Sequence, residues 1–185
     1  MKHINKIALV VSKIMEIMFW IGTAGIVFLL ACSVFARDFL NGLFEKNILA
    51  FTADSSIDTF GLGVEIADKS GNLNMPAVTC FCIGAMFTFI LLAMIFRNVY
   101  LIVKNSKDTP FKADNVRMIR EIGIFAIAIP IIGLIVSIIA GIVLGHENIE
   151  MSVNLNGFVM GILVLFLTET FRRGIELQND VDGLL

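Results

Sequence analysis

The stretch IGIFAIAIPIIGLIVSIIAGIVLG, Ile122–Gly145, runs for 24 residues without a charged side chain. As a helix rising 1.5 Å per residue it reaches about 36 Å, enough to cross a hydrocarbon core of about 30 Å. The run is continuously apolar and lacks the alternation of a barrel strand, so a helix is the form that satisfies its backbone in lipid. Working outward, three more uncharged windows approach that length: Ile17–Ala36, Pro76–Ile95 and Met151–Thr168. The last carries Asn154 and Asn156 near its start. The expected fold is an all-α integral membrane protein, a four-transmembrane-helix bundle forming one membrane domain over residues 1–185. Spans are expected at about 14–36, 76–96, 122–145 and 151–169, with an outer loop 37–75, an inner loop 97–121 and a tail 170–185.

Composition points the same way. Hydrophobic residues make up 57% of the chain and charged ones 16%, against roughly 45–50% and about 25% in soluble domains. That excludes a disordered tail, a disulfide-stapled secreted module and an ordinary water-soluble enzyme.

Orientation follows from the basic residues. Lys2, Lys6 and Lys13 precede the first span, Arg97, Lys104, Lys107, Lys112, Arg117 and Arg120 lie in 97–121, and Arg172 and Arg173 lie in the tail. These are 11 of the 14 Lys and Arg residues, leaving Arg37, Lys46 and Lys69 on the other side. Both termini are therefore expected in the cytoplasm of a multi-pass protein of the bacterial inner membrane. Leu29-Leu30-Ala31-Cys32 is similar to a lipoprotein processing box. Glu16 interrupts the start of that apolar run and no polar linker follows Cys32, so the segment reads as a retained span.

Inside lipid, helices associate where small residues let backbones approach. Gly133, Ser137, Gly141 and Gly145 form an i+4 ridge on the third span, and Gly157 and Gly161 are four apart on the fourth. The ridge reads either as packing between these neighbouring spans or as a homo-oligomer interface. The short connection between the spans favours the first. Pro130 removes one backbone donor within the third span and predicts a modest bend.

Ionisable residues at mid-membrane usually mark function, and here the centre of every span lacks them. His3 and His146 fall on opposite sides of the expected membrane, and Cys80 and Cys82 are two apart, pointing away from each other on a helix. Neither an enzyme, a cofactor nor a metal centre is expected, and the small basic patch is too lipid-directed for direct nucleic-acid binding. In the outer loop, Asn47–Ala53, Phe60–Ala67 and Asn72–Met75 read as short strands, with a turn at Asp68–Gly71. A small β-hairpin cap is the expectation, either a lid or a ligand-sensing surface.

The inner segment carries more pattern. Thr109-Pro110-Phe111 reads as a helix start, with Pro in the first turn. Asp114, Arg117 and Glu121 then fall at i+3 and i+4 spacings, and Arg117 and Arg120 share a face. In the tail, Glu169 is spaced to meet Arg172 and Arg173, and Glu176 follows one turn later.

Thr109-Pro110-Phe111, Asp114-Asn115-Val116 and Arg117-Met118-Ile119-Arg120 together resemble the central motif of a bacterial four-span membrane family catalogued as domain of unknown function 2975. Phe171-Arg172-Arg173-Gly174-Ile175-Glu176-Leu177-Gln178 resembles its closing motif. Lys112 departs from the Ser or Thr usual there, and Asp182-Gly183-Leu184-Leu185 departs from the usual ending. The family brings no established activity. The resemblance implies a neighbouring gene for a small helix-turn-helix regulator of the Cro/repressor type. The expected role is accordingly regulatory or scaffolding: Thr109, Pro110, Phe111, Asp114, Asn115, Arg117, Arg120, Arg172, Arg173 and Glu176 dock that regulator at the inner face. The alternative is a small transporter, channel or immunity-type protein acting through the outer loop. The plainer reading of the basic residues is topology and attraction to anionic lipid, at roughly 1 kcal/mol each.

Overall fold

Long uncharged runs make long helices. In a computed structural model, which describes residues 2–45, 56–59, 62–65, 73–106, 113–144, 149–151 and 155–182, the chain forms α1 (Lys2–Phe35), α2 (Arg37–Glu45), β1 (Ser56–Thr59), β2 (Leu62–Glu65), α3 (Met75–Asn105), α4 (Ala113–Leu144), β3 (Ile149–Met151) and α5 (Leu155–Asp182). Helices α1, α3 and α4 contain stretches long and apolar enough to cross a membrane. Many of their apolar side chains face outward, among them Ile21, Phe28, Ile138 and Ile142. Such exposure is costly in water and expected where the solvent is lipid.

The fourth apolar window does not become helical at Met151. Ile149–Met151 pairs with β2 as a strand, and α5 begins only at Leu155. The stretch of α5 from Leu155 to Thr168 therefore reaches about 21 Å. Asn156 thus lies in the first turn of α5, and Asn154 lies outside the described residues.

The chain divides into two compact units. One comprises Ile21–Phe89 and Ile129–Asn154 and contains the sheet. Its strand order is β1-β2-β3, all antiparallel, with Ser56 opposite Glu65 and Leu62 opposite both Thr59 and Met151. The strands differ from those expected: β2 lies within 60–67, β1 directly precedes it, and β3 comes from the short connection after α4. Residues 47–53 and 68–71 lie outside the described residues. Of the expected return strand at Asn72–Met75, Leu73 keeps a β-bridge and Asn72 lies outside the described residues. Met75 already opens α3, where the Asn74 side chain accepts a hydrogen bond from the Ala77 amide at 3.3 Å and caps the helix.

The nine-residue α2 follows α1 almost without a break. Leu40 on its inner side is 2% exposed and packs with Cys32, Leu73 and Met75. Between α3 and α4 the same unit packs Ala77, Val136 and Ala140 together. A Cβ built on Gly84 would stand 3.3 Å from Val136, so a side chain here would crowd the pair. Gly133, Ser137 and Gly141 are buried, and α4 continues through Pro130. Gly145 lies outside the described residues.

The second unit comprises Met1–Trp20, Ile90–Ala128 and Leu155–Leu185, and so holds both termini. Here α1 and α3 run antiparallel: Phe19 stacks on Phe96 at 5.5 Å, while Lys13 lies over the Tyr100 ring. Helices α4 and α5 meet at two glycines. A Cβ on Gly161 would lie 2.9 Å from the Gly123 carbonyl oxygen and would collide with the Ile127 side chain. Gly161 therefore seats against Gly123 and Ile127, a part of α4 outside the ridge expected to receive it.

This close approach predicts a contrast between two glycines. Gly161→Ala should destabilise the protein by about 1–3 kcal/mol, because backbone rather than a flexible side chain stands in the way. Gly25→Ala has nothing within 4 Å and should stay within about 0.5 kcal/mol of the parent. Thermal unfolding of the two variants in the same detergent measures the difference.

Candidate functional site

The candidate surface lies at the beginning of α4 and the end of α5, both in the unit that holds the termini. The antiparallel contact at Gly123 and Gly161 fixes their register. Nine residues back from Gly123 is Asp114, and nine residues on from Leu165, which also packs on Gly123, is Gly174. With equal helical rise, Asp114 and the Arg172–Arg173 pair stand at about the same level.

On α4 the described residues separate by exposure. Asp114, Arg117 and Arg120 are exposed. Arg117 pairs with Glu121 at 3.6 Å, one turn on, rather than with Asp114. Asn115 behaves differently. It is 1% exposed, and its amide nitrogen donates to the Ser106 hydroxyl at 3.1 Å, one residue past the end of α3. Asn115 thus braces α4 against α3 and is not available as a docking contact, a correction to the sequence expectation. That expectation rests on its place in the Asp114-Asn115-Val116 motif. Thr109, Pro110 and Phe111 lie outside the described residues.

A second brace was not singled out by sequence. Asn98, 7% exposed on α3, donates from its side-chain amide to Glu121 at 3.0 Å. The same carboxylate accepts this bond and neutralises Arg117, so it links a buried amide to a surface cation. An asparagine inside an amphipathic turn gives little sequence signal, because its partner is 23 residues away.

On α5 the charges form a closed network. Arg172 donates to both oxygens of Glu169, at 2.7 and 2.9 Å, and to Glu176 at 2.9 Å. Arg173 donates to Glu169 at 3.3 Å. Two arginines on one carboxylate hold Glu169 down to a pKa of about 2, with the Arg172 hydrogen bonds the largest cause. All four side chains are well exposed to solvent, so water screens the pairs and their contribution to stability is small. Their effect is geometric: three i+3 and i+4 links set the guanidinium of Arg172 in one position. Among the described residues no ion pair joins α4 to α5, and the pairs of Arg117, Arg172 and Arg173 each lie within one helix.

The profile of a family described as "Protein of unknown function (DUF2975)" matches residues 64–183, which contain both charged helix ends. The chain belongs to this family. The matched part takes in α3, α4, α5 and β3, and leaves out α1 and α2. No curated protein and no solved structure matches the chain. DUF2975 membership thus gives the chain a family without a described activity, and the reading of the site rests on its geometry.

The Glu169 network sets a pH expectation. A carboxylate depressed in the folded protein adds stability above its ordinary pKa, and that contribution fades as pH falls toward its folded value. Here the window runs from 4.5 down to about 2. Carbon NMR of the Glu169 carboxyl should show it still ionised at a pH of about 3.5, where an unperturbed Glu is mostly protonated. In the Arg172→Gln, Arg173→Gln double variant its midpoint should return toward 4.5.

Proposed function

We propose that this chain is a non-enzymatic regulatory or scaffolding protein of the bacterial inner membrane. In this reading it holds a small cytoplasmic helix-turn-helix regulator against the exposed ends of α4 and α5. The observation that carries the proposal is the exposed array on α5, in which Glu169 and Glu176 hold Arg172 in place. A guanidinium fixed beforehand loses less freedom on binding than a mobile one. Arg117 and Arg120 on α4 extend the charged surface at the same level as the α5 array. The docking set is then Asp114, Arg117, Arg120, Arg172, Arg173 and Glu176, with Thr109-Pro110-Phe111 beside it in sequence.

The topology proposed with it is four spans with both termini cytoplasmic. Eleven of 14 basic residues on one side support the orientation. Outward-facing Val159, Met160, Ile162, Leu163, Phe166 and Leu167 support α5 as a fourth lipid-embedded helix. The sheet of β1, β2 and β3 then caps the opposite, outer side. The buried hydroxyls of Thr88 and Ser137 bond to carbonyls of their own helix, those of Gly84 and Gly133. Ser33 does the same with Leu30 while also meeting the Thr79 hydroxyl of α3 at 3.1 Å. Such hydroxyls do not by themselves build a polar path, so the transporter reading gains nothing from them.

Two measurements test the proposal. An impermeant amine reagent applied to intact cells should label Lys69 and spare Lys107, and the opposite pattern would invert the topology. Co-purification with the regulator encoded beside the gene should recover that protein. Recovery should fall several-fold when Arg117 and Arg172 are both reversed to Glu. Equal recovery from the reversed variant would refute docking at this face.

A further inference from the structure

Near its N-terminus α1 presents Val10, Lys13, Ile14, Ile17 and Trp20 along one face, at spacings of three, four and seven residues. Where this face meets α3, it borders an open groove of about 420 Å³ whose polar lining is Lys13, Tyr100 and Lys104. The two ammonium groups stand over the same tyrosine ring, at 5.2 and 5.9 Å from its centre. Two cations held at one ring repel each other, and an anion between them would relieve that repulsion. Lys13 gives one bond to Glu16, at 2.9 Å, which leaves two of its three donors. Among the described residues no carboxylate pairs with Lys104.

Counting Glu16, the groove carries two positive charges and one negative, so a single negative charge would balance it. The remainder of the lining is apolar, and Val10, Ile14 and Ile17 are each about half exposed. One end of the groove thus suits a monoanionic phosphate group and the other a hydrocarbon chain.

The geometry points to a binding site for one anionic phospholipid between α1 and α3, its phosphodiester held by Lys13 and Lys104 and an acyl chain lying along Ile14 and Ile17. The site is separate from the charged ends of α4 and α5, and it requires only that these helices sit in a bilayer. A free phosphate would match the two lysines equally well but would leave the apolar side uncovered. Charge and hydrocarbon together therefore favour the lipid.

The chain has a single tryptophan, and it lies seven residues beyond Lys13 on the same face, about 10 Å along the helix. Trp20 thus reports a brominated acyl chain seated in the groove. The purified full chain is reconstituted in phosphatidylcholine bilayers containing increasing brominated phosphatidylglycerol, and quenching is compared with brominated phosphatidylcholine. The expected preference for phosphatidylglycerol is roughly fivefold, and Lys104→Gln should remove most of it. That exposed lysine can be changed without disturbing the Lys13–Glu16 pair. Arg120→Gln, which removes the same charge from α4, should leave the preference intact. No preference in the parent protein, or an unchanged one in Lys104→Gln, would overturn the assignment. Loss of the preference on adding millimolar inorganic phosphate would overturn it in favour of a free-phosphate site.

Discussion

Lipid gives a backbone nothing to hydrogen-bond with, and that constraint shapes each part of this molecule. It forces the apolar runs into helices, and it removes the hydrophobic drive that would otherwise press those helices together. What remains is contact at short range. Where α4 meets α5, Gly161 lets the two backbones come so near that even a methyl group would strike the Gly123 carbonyl. Between α3 and α4, Gly84 accepts Val136 in the same way, and Gly22 of α1 accepts the ring of Phe89. Polar side chains follow the same rule. The Thr88 and Ser137 hydroxyls turn back to carbonyls of their own helix, and the Ser33 hydroxyl also meets Thr79 of α3. The buried amides of Asn98 and Asn115 find partners on Glu121 and on Ser106 just past α3.

This explains what a reader of the sequence can and cannot see. The three longest helices are legible because an uncharged run of some 20 residues has few other outcomes. The α5 charge network is legible for a different reason: its links are three and four residues long, so helical geometry alone draws them. The beginning of the fourth helix is misplaced because Met151 opens the uncharged window after Glu150, and only its pairing with Leu62 of β2 makes it a strand residue. The nine residues of α2 carry three charges and two small or amide residues, so they read as loop until Leu40 is seen buried against Cys32 and Met75.

Contacts between distant segments account for the other differences. Gly133 through Gly145 and Gly157 through Gly161 look matched because each is a regular row of small residues. Spacing within a helix does not state which turn of the next helix it meets, and Gly123 at the end of an amphipathic segment offers no such regularity. Asn115 is a similar case. Asp114 before it is exposed and Val116 after it half-buried, and only the approach of Ser106 shows that its amide faces inward.

The same argument separates the two charged regions of the terminal unit. On α5, cations are met by carboxylates of the same helix, so the pattern of charge depends on no other segment. At Tyr100, Lys13 comes from α1 and Lys104 from α3, and the lone Glu16 bonds only Lys13. A cation without a carboxylate partner beside an apolar surface attracts an anion from the bilayer or the solvent. Self-sufficient charge suits recognition by a protein arriving from the aqueous side, whereas incomplete charge beside exposed isoleucines suits a ligand that is itself half charge and half hydrocarbon.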